Sequence, residues 1–289
     1  MRPLYGGAVL RTSPTRVLEA RDGDEVRDLL SRDPIADVFV ASRVEAVGLQ
    51  RDRLGAELWG HTDTSGTLAA LCYAGANLIP IQAGPDALRA FAERARRQGR
   101  RCSSLVGPAS MVLPLWELLR PHWGPAREVR ERQPLLATDS DPMVAVDHAV
   151  RAVRPDEIEL LLPASIAMFT EEVGISPTVC GSGPLYRARV EELVSSGRAF
   201  ARIEHGRVLF KAEIGAATRD ICQVQGVWVD PALRGRGLGT AGTASVVQLA
   251  RRTIAPVVSL YVNDFNGSAL RSYQRVGFRP VGTFASVLF

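Results

Sequence analysis

The stretch VWVDPALRGRGLGTAG, from Val227 to Gly242, limits the possible folds of this chain more than any other segment. An apolar β-branched run is stopped by Asp230-Pro231. Glycines then alternate with Arg234 and Arg236 before a small-residue helix begins at Thr240. A strand, a turn of consecutive N–H groups and a helix N-terminus in direct succession form an anion cradle. Two phosphate patterns overlap here: G-x-G-x-x-G from Gly237, and [R/Q]-x-x-G-x-[G/A] from Arg234. The first needs its leading glycine where the strand ends, so that the backbone turns under a pyrophosphate at once. Val229 ends the strand and Gly237 lies several residues later. Even with Asp264 as a ribose-binding acid, fewer than 30 residues remain for the βα units of such a sheet. A Walker loop is absent because no Gly-Lys-[Ser/Thr] occurs. The second pattern is the one that fits.

Its surroundings predict a mixed α+β unit. HAVRAV (148–153) reads as a strand, followed by helices from Asp156 to Val173 and from Leu185 to Ser195. RAFARIE and RVLFKAEIGA form a hairpin across His205-Gly206. ICQVQGVWV (221–229) leads into the glycine turn and a helix over 240–253, closed before Pro256. A strand at 257–262, a helix at 267–276 and a last strand ending at Phe289 complete it. Gly242 and Ala244 let the glycine-led helix lie close on the sheet.

The first half repeats this outline. RVLEA is a strand, helices lie within 22–49, and LGAELWG, TLAALCYAG and ANLIPIQ are strands. A helix at 86–98 carries Leu88, Phe91, Ala92 and Ala95 on one stripe. CSSLVG is then a strand and SMVLPLWELL a helix. At the place of the glycine turn this half has only Ala83-Gly84-Pro85. The polar stretch ATDSDP (137–142) separates the halves, which gives domains 1–140 and 146–289. The repeat is one of pattern rather than of residue identity.

From about Val146 onward the chain resembles the GNAT superfamily of acetyl-CoA-dependent N-acetyltransferases. The likeness rests on QVQGVWV, on the loop RGRGLG, and on NDFNGSALRSYQRVGF. That last block fits N-x-x-A-x-x-x-Y-x-x-x-G-F through Asn266, Ala269, Tyr273, Gly277 and Phe278. The first half resembles a degenerate copy, as in tandem transferases of the mycothiol-synthase kind. The resemblance implies a tandem fold, each half a mostly antiparallel twisted sheet flanked by helices.

It also implies direct attack of a neutral amine on the thioester of acetyl-CoA, with no metal. Strands 221–229 and 257–262 are expected to splay, with the backbone of Val227, Trp228 and Val229 facing the pantetheine arm. Arg234, Gly235, Arg236, Gly237, Leu238, Gly239 and Thr240 are expected to hold the pyrophosphate. Asn266 caps the following helix and gains a cofactor contact. The side chain of Trp228 itself reads first as sheet packing, with a specific ligand contact as the lesser reading. Tyr273 stands where the family keeps its tyrosine acid, able to protonate the leaving thiolate; its other reading is a core tyrosine with a wet hydroxyl. Many relatives carry a glutamate on the strand equivalent to 221–229, and this chain has Gln223 and Gln225 there. Glu213 on the preceding strand is then the side-chain candidate for the base, and a Lys211-paired structural glutamate is its alternative. The final strand is expected to flank the cleft, where the α-carboxylate of Phe289 is a further candidate for the base; its other, preferred reading is a residue that merely completes a core strand. Glu171 and Glu172 suit a cationic acceptor, and their other reading is a pair of exposed acids at a helix end.

Composition sets the remaining bounds. The chain has 289 residues, 46% hydrophobic and 23% charged, with a net charge of +4. Lys211 is the only lysine, so the basic balance reads as base composition rather than a binding face. The cluster Arg94, Arg96, Arg97, Arg100 and Arg101 reads as a solvated helix end, and nucleic acid is not an expected partner. No apolar run reaches a membrane span, and the start MRPLYGGAVLRTSPTR has no signal-peptide pattern, which points to a cytoplasmic protein. Cys72, Cys102, Cys180 and Cys222 lack C-x-x-C spacing and are expected as reduced thiols. The expected partner is a small-molecule or peptide amine. A reading from another class is an inactive acyl-CoA sensor or scaffold that has kept the loop.

Overall fold

Periodicity decides most elements, and the computed structural model describes residues 15–289. The first half runs β1 (Thr15–Val17), α1 (Gly23–Leu30), α2 (Val38–Val47), α3 (Arg51–Leu54), β2 (Glu57–Thr62), β3 (Leu68–Ala74), β4 (Asn77–Ile81), α4 (Pro85–Gln98), β5 (Ser104–Pro108), α5 (Ala109–Trp123) and β6 (Glu128–Thr138). The second runs β7 (Val150–Ala152), α6 (Ile158–Val173), α7 (Gly183–Ser195), β8 (Ala199–Glu204), β9 (Arg207–Ala217), β10 (Ile221–Val229), α8 (Leu238–Thr253), β11 (Val257–Tyr261), α9 (Gly267–Val276) and β12 (Arg279–Leu288). Apart from the extra turn α3, the two orders are the same.

The two halves build one 12-stranded sheet in the order β1-β2-β3-β4-β5-β12-β6-β11-β10-β9-β8-β7. Among the described strands, only the pairs β4·β5 and β10·β11 are parallel. The middle of the sheet is a reciprocal exchange. β6, the last strand of the first half, pairs with β11 (Leu136↔Leu260), and β12 pairs with β5 (Val287↔Leu105). β6 and β12 lie antiparallel to each other between these pairs. Each half thus lends its final strand to close the other.

The exchange corrects one expectation. The strand that borders β11 beside the cleft is β6, which sequence reading left unassigned, and not β12. Phe289 packs in the first half, edge-on to Trp116 (5.6 Å) and Trp123 (5.8 Å), with the Arg100 guanidinium 4.6 Å above its face. The cause is burial. Ala285 and Val287 of β12 join the core formed by Phe91, Leu105, Leu115 and Leu119. Leu136 of β6 enters the other core, with Phe210, Val247, Val258 and Phe278. Each large apolar side chain buried this way is worth about 1.5–3 kcal/mol, so both strands are held firmly.

The repeat also extends to residue chemistry. Arg16 on β1 grips Asp22 with two bonds of 2.7 Å, and Arg151 on β7 grips Glu157 at 2.7 and 2.6 Å. Both carboxylates also accept a backbone N–H, from Glu19 and Arg154 respectively, at the entrance to the first helix of each half. The spacing of six residues is identical.

Local expectations hold elsewhere. His205 (φ +49°) and Gly206 (φ +72°) make the two-residue turn between β8 and β9. A Cβ on Gly242 would lie 2.7 Å from the Phe210 ring, so α8 touches the sheet there. Cys72, Cys102 and Cys222 are buried free thiols; the Cys180 side chain, like residues 1–14, lies outside the described residues. No described helix is long and apolar enough to cross a membrane.

Candidate active site

The site begins where two parallel strands stop pairing. β10 and β11 are in register for only three pairs, Ile221↔Val257 to Gln223↔Ser259. Beyond that, each is drawn away by its other neighbour. Val262 N–H donates to the Pro134 carbonyl (3.3 Å) and Asp264 N–H to that of Arg132 (3.2 Å), so β6 holds the end of β11. On the other side β10 bulges. Gln225 faces Glu213 and Trp228 faces Lys211, three steps on β10 against two on β9. Gly226 takes up the extra residue at φ +60°, and a Cβ there would come within 3.0 Å of Met168 Cε and 3.2 Å of Glu213 Oε2. The splay and the bulge release backbone groups of Val227–Val229 toward a cleft of about 710 Å³.

One wall of that cleft is the glycine turn. Asp230 accepts the Ala232 N–H (3.0 Å) and the Arg207 guanidinium (2.7 Å), which fixes the strand exit. Among the described residues, no backbone carbonyl accepts from the N–H groups of Gly235, Arg236 and Gly237. The first turn of α8 adds Leu238, Gly239 and Thr240, whose N–H groups have no partner inside the helix. Gly237 caps α8 in the left-handed region at φ +88°. The Thr243 hydroxyl, buried on the same wall, has no partner among the described residues. This concentration of donors at the positive end of a helix dipole fits a phosphate group.

The opposite wall is α9. Asn266 caps it, its Oδ1 accepting the Ala269 N–H at 3.2 Å. Thr240 donates to Ser272 (3.0 Å) and ties the starts of α8 and α9 together. Tyr273 is 7% exposed and reaches the cleft from α9. Burial, with the Glu172 charge adding to it, pushes the Tyr273 phenol above its ordinary value. The phenol therefore keeps its proton throughout the physiological range.

Of the residues singled out from sequence, Val227, Trp228, Val229, Arg234, Gly235, Gly237, Leu238, Gly239, Thr240, Asn266 and Tyr273 all line this cleft. Arg236 does not, although its backbone lies in the turn. Glu213 is set back from the lining, 5% exposed. It is ion-paired to the fully buried Lys211, and its second oxygen accepts from Gln225 Nε2 at 3.4 Å. Met168, which lines the cleft, and Gly226 stand beside it. Glu171 bridges Trp228 Nε1 (3.3 Å) and Arg234 Nη2 (2.7 Å) across the mouth. Arg130 of β6 binds Glu172 (3.0 Å), so the first half forms part of the rim. Arg130, Asn263 and Met168 went unseen in the sequence, since their role depends on the exchange and the bulge. A smaller cavity of about 360 Å³ in the first half, between Glu57 and Trp123, contains none of these residues.

Residues 188–278 match the acetyltransferase (GNAT) family, and residues 56–161 match a domain of unknown function (DUF4081). The mycothiol acetyltransferase of Mycobacterium leprae is 30% identical over 173 residues, 53% of this chain and 54% of that protein. The chain spans about half or less of the length of the curated relatives it matches. Among solved structures, the GCN5-related N-acetyltransferase from Sphaerobacter thermophilus superposes with a TM-score of 0.59 at 17% identity, over 95% of both chains. A tandem GNAT protein from the clavulanic acid biosynthesis pathway gives 0.52 at 14%, over 95% of this chain and 98% of its own. These two share the fold.

Proposed function

We propose that this chain, whose second half belongs to the GNAT acetyltransferase family, transfers an acetyl group from acetyl-CoA to a primary amine by direct attack on the thioester. The observation that carries the reading is the cleft itself: a splay between β10 and β11 that leads into a glycine turn of unpaired N–H groups at the start of α8. The pyrophosphate of the donor takes the turn from Arg234 to Thr240, and its pantetheine arm lies along Val227–Val229. A released N–H of the bulge polarises the thioester carbonyl. Tyr273, neutral and facing the cleft, protonates the leaving thiolate as the C–S bond breaks. The ammonium formed by attack loses its proton to Glu213, directly or by way of water.

The catalytic unit is residues 146–289. The first unit, 1–140, lacks the turn: α4 starts at Pro85 directly after Gly84, with no arginine–glycine loop before it. Its work is to supply β6 and the Arg130 side of the acceptor entrance. The acceptor is a small-molecule or peptide amine, drawn in by Glu171 and Glu172 at the mouth. An amine panel with acetyl-CoA, read by release of free CoA thiol and by product mass, tests this. An acceptor-dependent gain of one acetyl group is expected. Binding of acetyl-CoA with no thiol release from any amine would favour a sensor over an enzyme.

A further inference from the structure

A buried polar chain crosses the strand exchange and ends at the cleft. Ser286 on β12 donates to Gln133 Oε1 at 2.7 Å, and Gln133 on β6 donates through Nε2 to Asn263 Oδ1 at 2.8 Å. All three are buried: Gln133 is 2% exposed, Ser286 6% and Asn263 9%. A buried glutamine is costly unless its amide is satisfied on both sides, and here both sides are used. Asn263 is the exit of the chain. Its backbone carbonyl accepts the Asn266 N–H (3.0 Å), and its side chain stands on the cleft wall. Asn263 Nδ2 has no partner among the described residues. It is not one of the enclosed orphan atoms either, which are Arg94 Nε, Trp123 Nε1, Ser165 Oγ and Thr243 Oγ1. The free donor therefore faces the open cleft. Continuing the β10·β11 register past Gln223↔Ser259 puts Asn263 across the splay from Val227.

We infer that Asn263 Nδ2 donates a hydrogen bond to a carbonyl oxygen of the acyl-pantetheine arm, and that Gln133 of the first half is the positioning residue that turns the amide this way. The inference rests on the reading of the cleft as the acetyl-CoA site. A carbonyl is the fitting partner because Nδ2 is a donor, and because β10 on the facing side presents backbone rather than a charge. The amide's other atom is already committed to Gln133, so the donor cannot be exchanged for an acceptor by a simple flip without breaking that bond. The first half thereby takes part in chemistry performed on the second.

The test uses the full chain and three proteins: wild type, Asn263→Asp and Gln133→Leu. Asn263→Asp keeps an acceptor for Gln133 and replaces the donor with a carboxylate oxygen, so the bond to the arm is lost and a negative charge is added. A fall of about tenfold or more in kcat/KM for acetyl-CoA is expected, with the acceptor KM little changed. Gln133→Leu should move the same parameter in the same direction by a smaller factor. Thermal midpoints are measured alongside, and kinetics are expressed per folded enzyme. Calorimetric affinity for acetyl-CoA replaces kcat/KM if no amine turns over. Wild-type acetyl-CoA parameters in Asn263→Asp would overturn the inference, as would losses wholly explained by unfolding. Failure of the wild type to bind acetyl-CoA would instead overturn the reading of the cleft.

Discussion

Arg234 and Glu171 meet across the mouth of the cleft, Nη2 to Oε2 at 2.7 Å, while Arg234 Nε donates to the Val229 carbonyl at 3.1 Å. One arginine thus occupies both a carboxylate that suits an amine and a backbone acceptor that suits the pantetheine arm. Both side chains of the pair are about half exposed, at 48% and 47%, so the bond itself is weak, roughly 0.2–1 kcal/mol. On the proposed reading, acetyl-CoA competes with Glu171 for Arg234. Glu171→Gln should therefore tighten acetyl-CoA binding by about two- to fivefold. Titration calorimetry reads the change, and a weaker affinity would show that Glu171 orients Arg234 for the cofactor instead of competing for it.

Tyr273→Phe keeps the ring, which stacks edge-on against Phe278 at 5.9 Å, and removes only the hydroxyl. Turnover should fall about 10²-fold with acetyl-CoA affinity within about twofold. The raised phenol value has a sign. The folded state keeps this proton to a higher pH than the unfolded chain, so the donor and its share of stability persist below the ordinary tyrosine value and are lost only at strongly alkaline pH. A wild-type kcat profile that declines near neutrality through Tyr273, and is absent in the variant, would contradict this.

Lys211 and Glu213 pose a confounded question that a double variant separates. Glu213→Gln removes the charge partner of a fully buried lysine, a loss that typically costs about 3–5 kcal/mol. The single variant is expected to melt early and to lose turnover. Lys211→Met with Glu213→Gln should regain stability because both charges are gone. If Glu213 is the base, turnover stays low in the double variant. Recovery of turnover together with the melting temperature would assign the pair a structural role.

The paired clamps at the two strand starts set an acid limb. Arg16 holds the Asp22 carboxyl down to about 2, and Arg151 does the same for Glu157. Folded values below the unfolded ones mean that the stabilisation is complete above the ordinary carboxylate range and is lost as pH falls toward 2. Asp22→Asn and Glu157→Gln should each lower the melting temperature at pH 6 and flatten its decline between pH 5 and pH 2. Curves parallel to wild type over that range would show that the clamps are not the titrating groups.

The strands, helices and glycine turn were legible because period, caps and glycine positions are local properties. The segment from Ile221 to Val229 and the helix from Gly267 to Val276 agree residue for residue with their sequence reading. Glu128–Thr138 was not legible: EVRERQPLLAT alternates charge with few apolar residues at its start, and its partners lie in the other half of the chain. The same non-local pairing misplaced the final strand and hid Gln133, whose burial follows only from the exchange. Bulge geometry explains the rest. A one-residue slip at Gly226 sets Glu213 behind the cleft wall, which alternation along β9 alone does not reveal. The Arg16–Asp22 and Arg151–Glu157 spacing was present in the sequence and would have strengthened the repeat.

The central claim is that the turn from Arg234 to Thr240 holds the phosphates of acetyl-CoA. Gly237 sits at its centre, left-handed at φ +88° and with no atom within 4 Å of an added Cβ, so a side chain there points into free space at the anion site. Titration calorimetry of acetyl-CoA into wild type and Gly237→Asp, with both melting temperatures recorded, is the direct measurement. One saturable site per chain in the wild type, and none in a folded Gly237→Asp, is the predicted result. Equal affinity in the two folded proteins would contradict it.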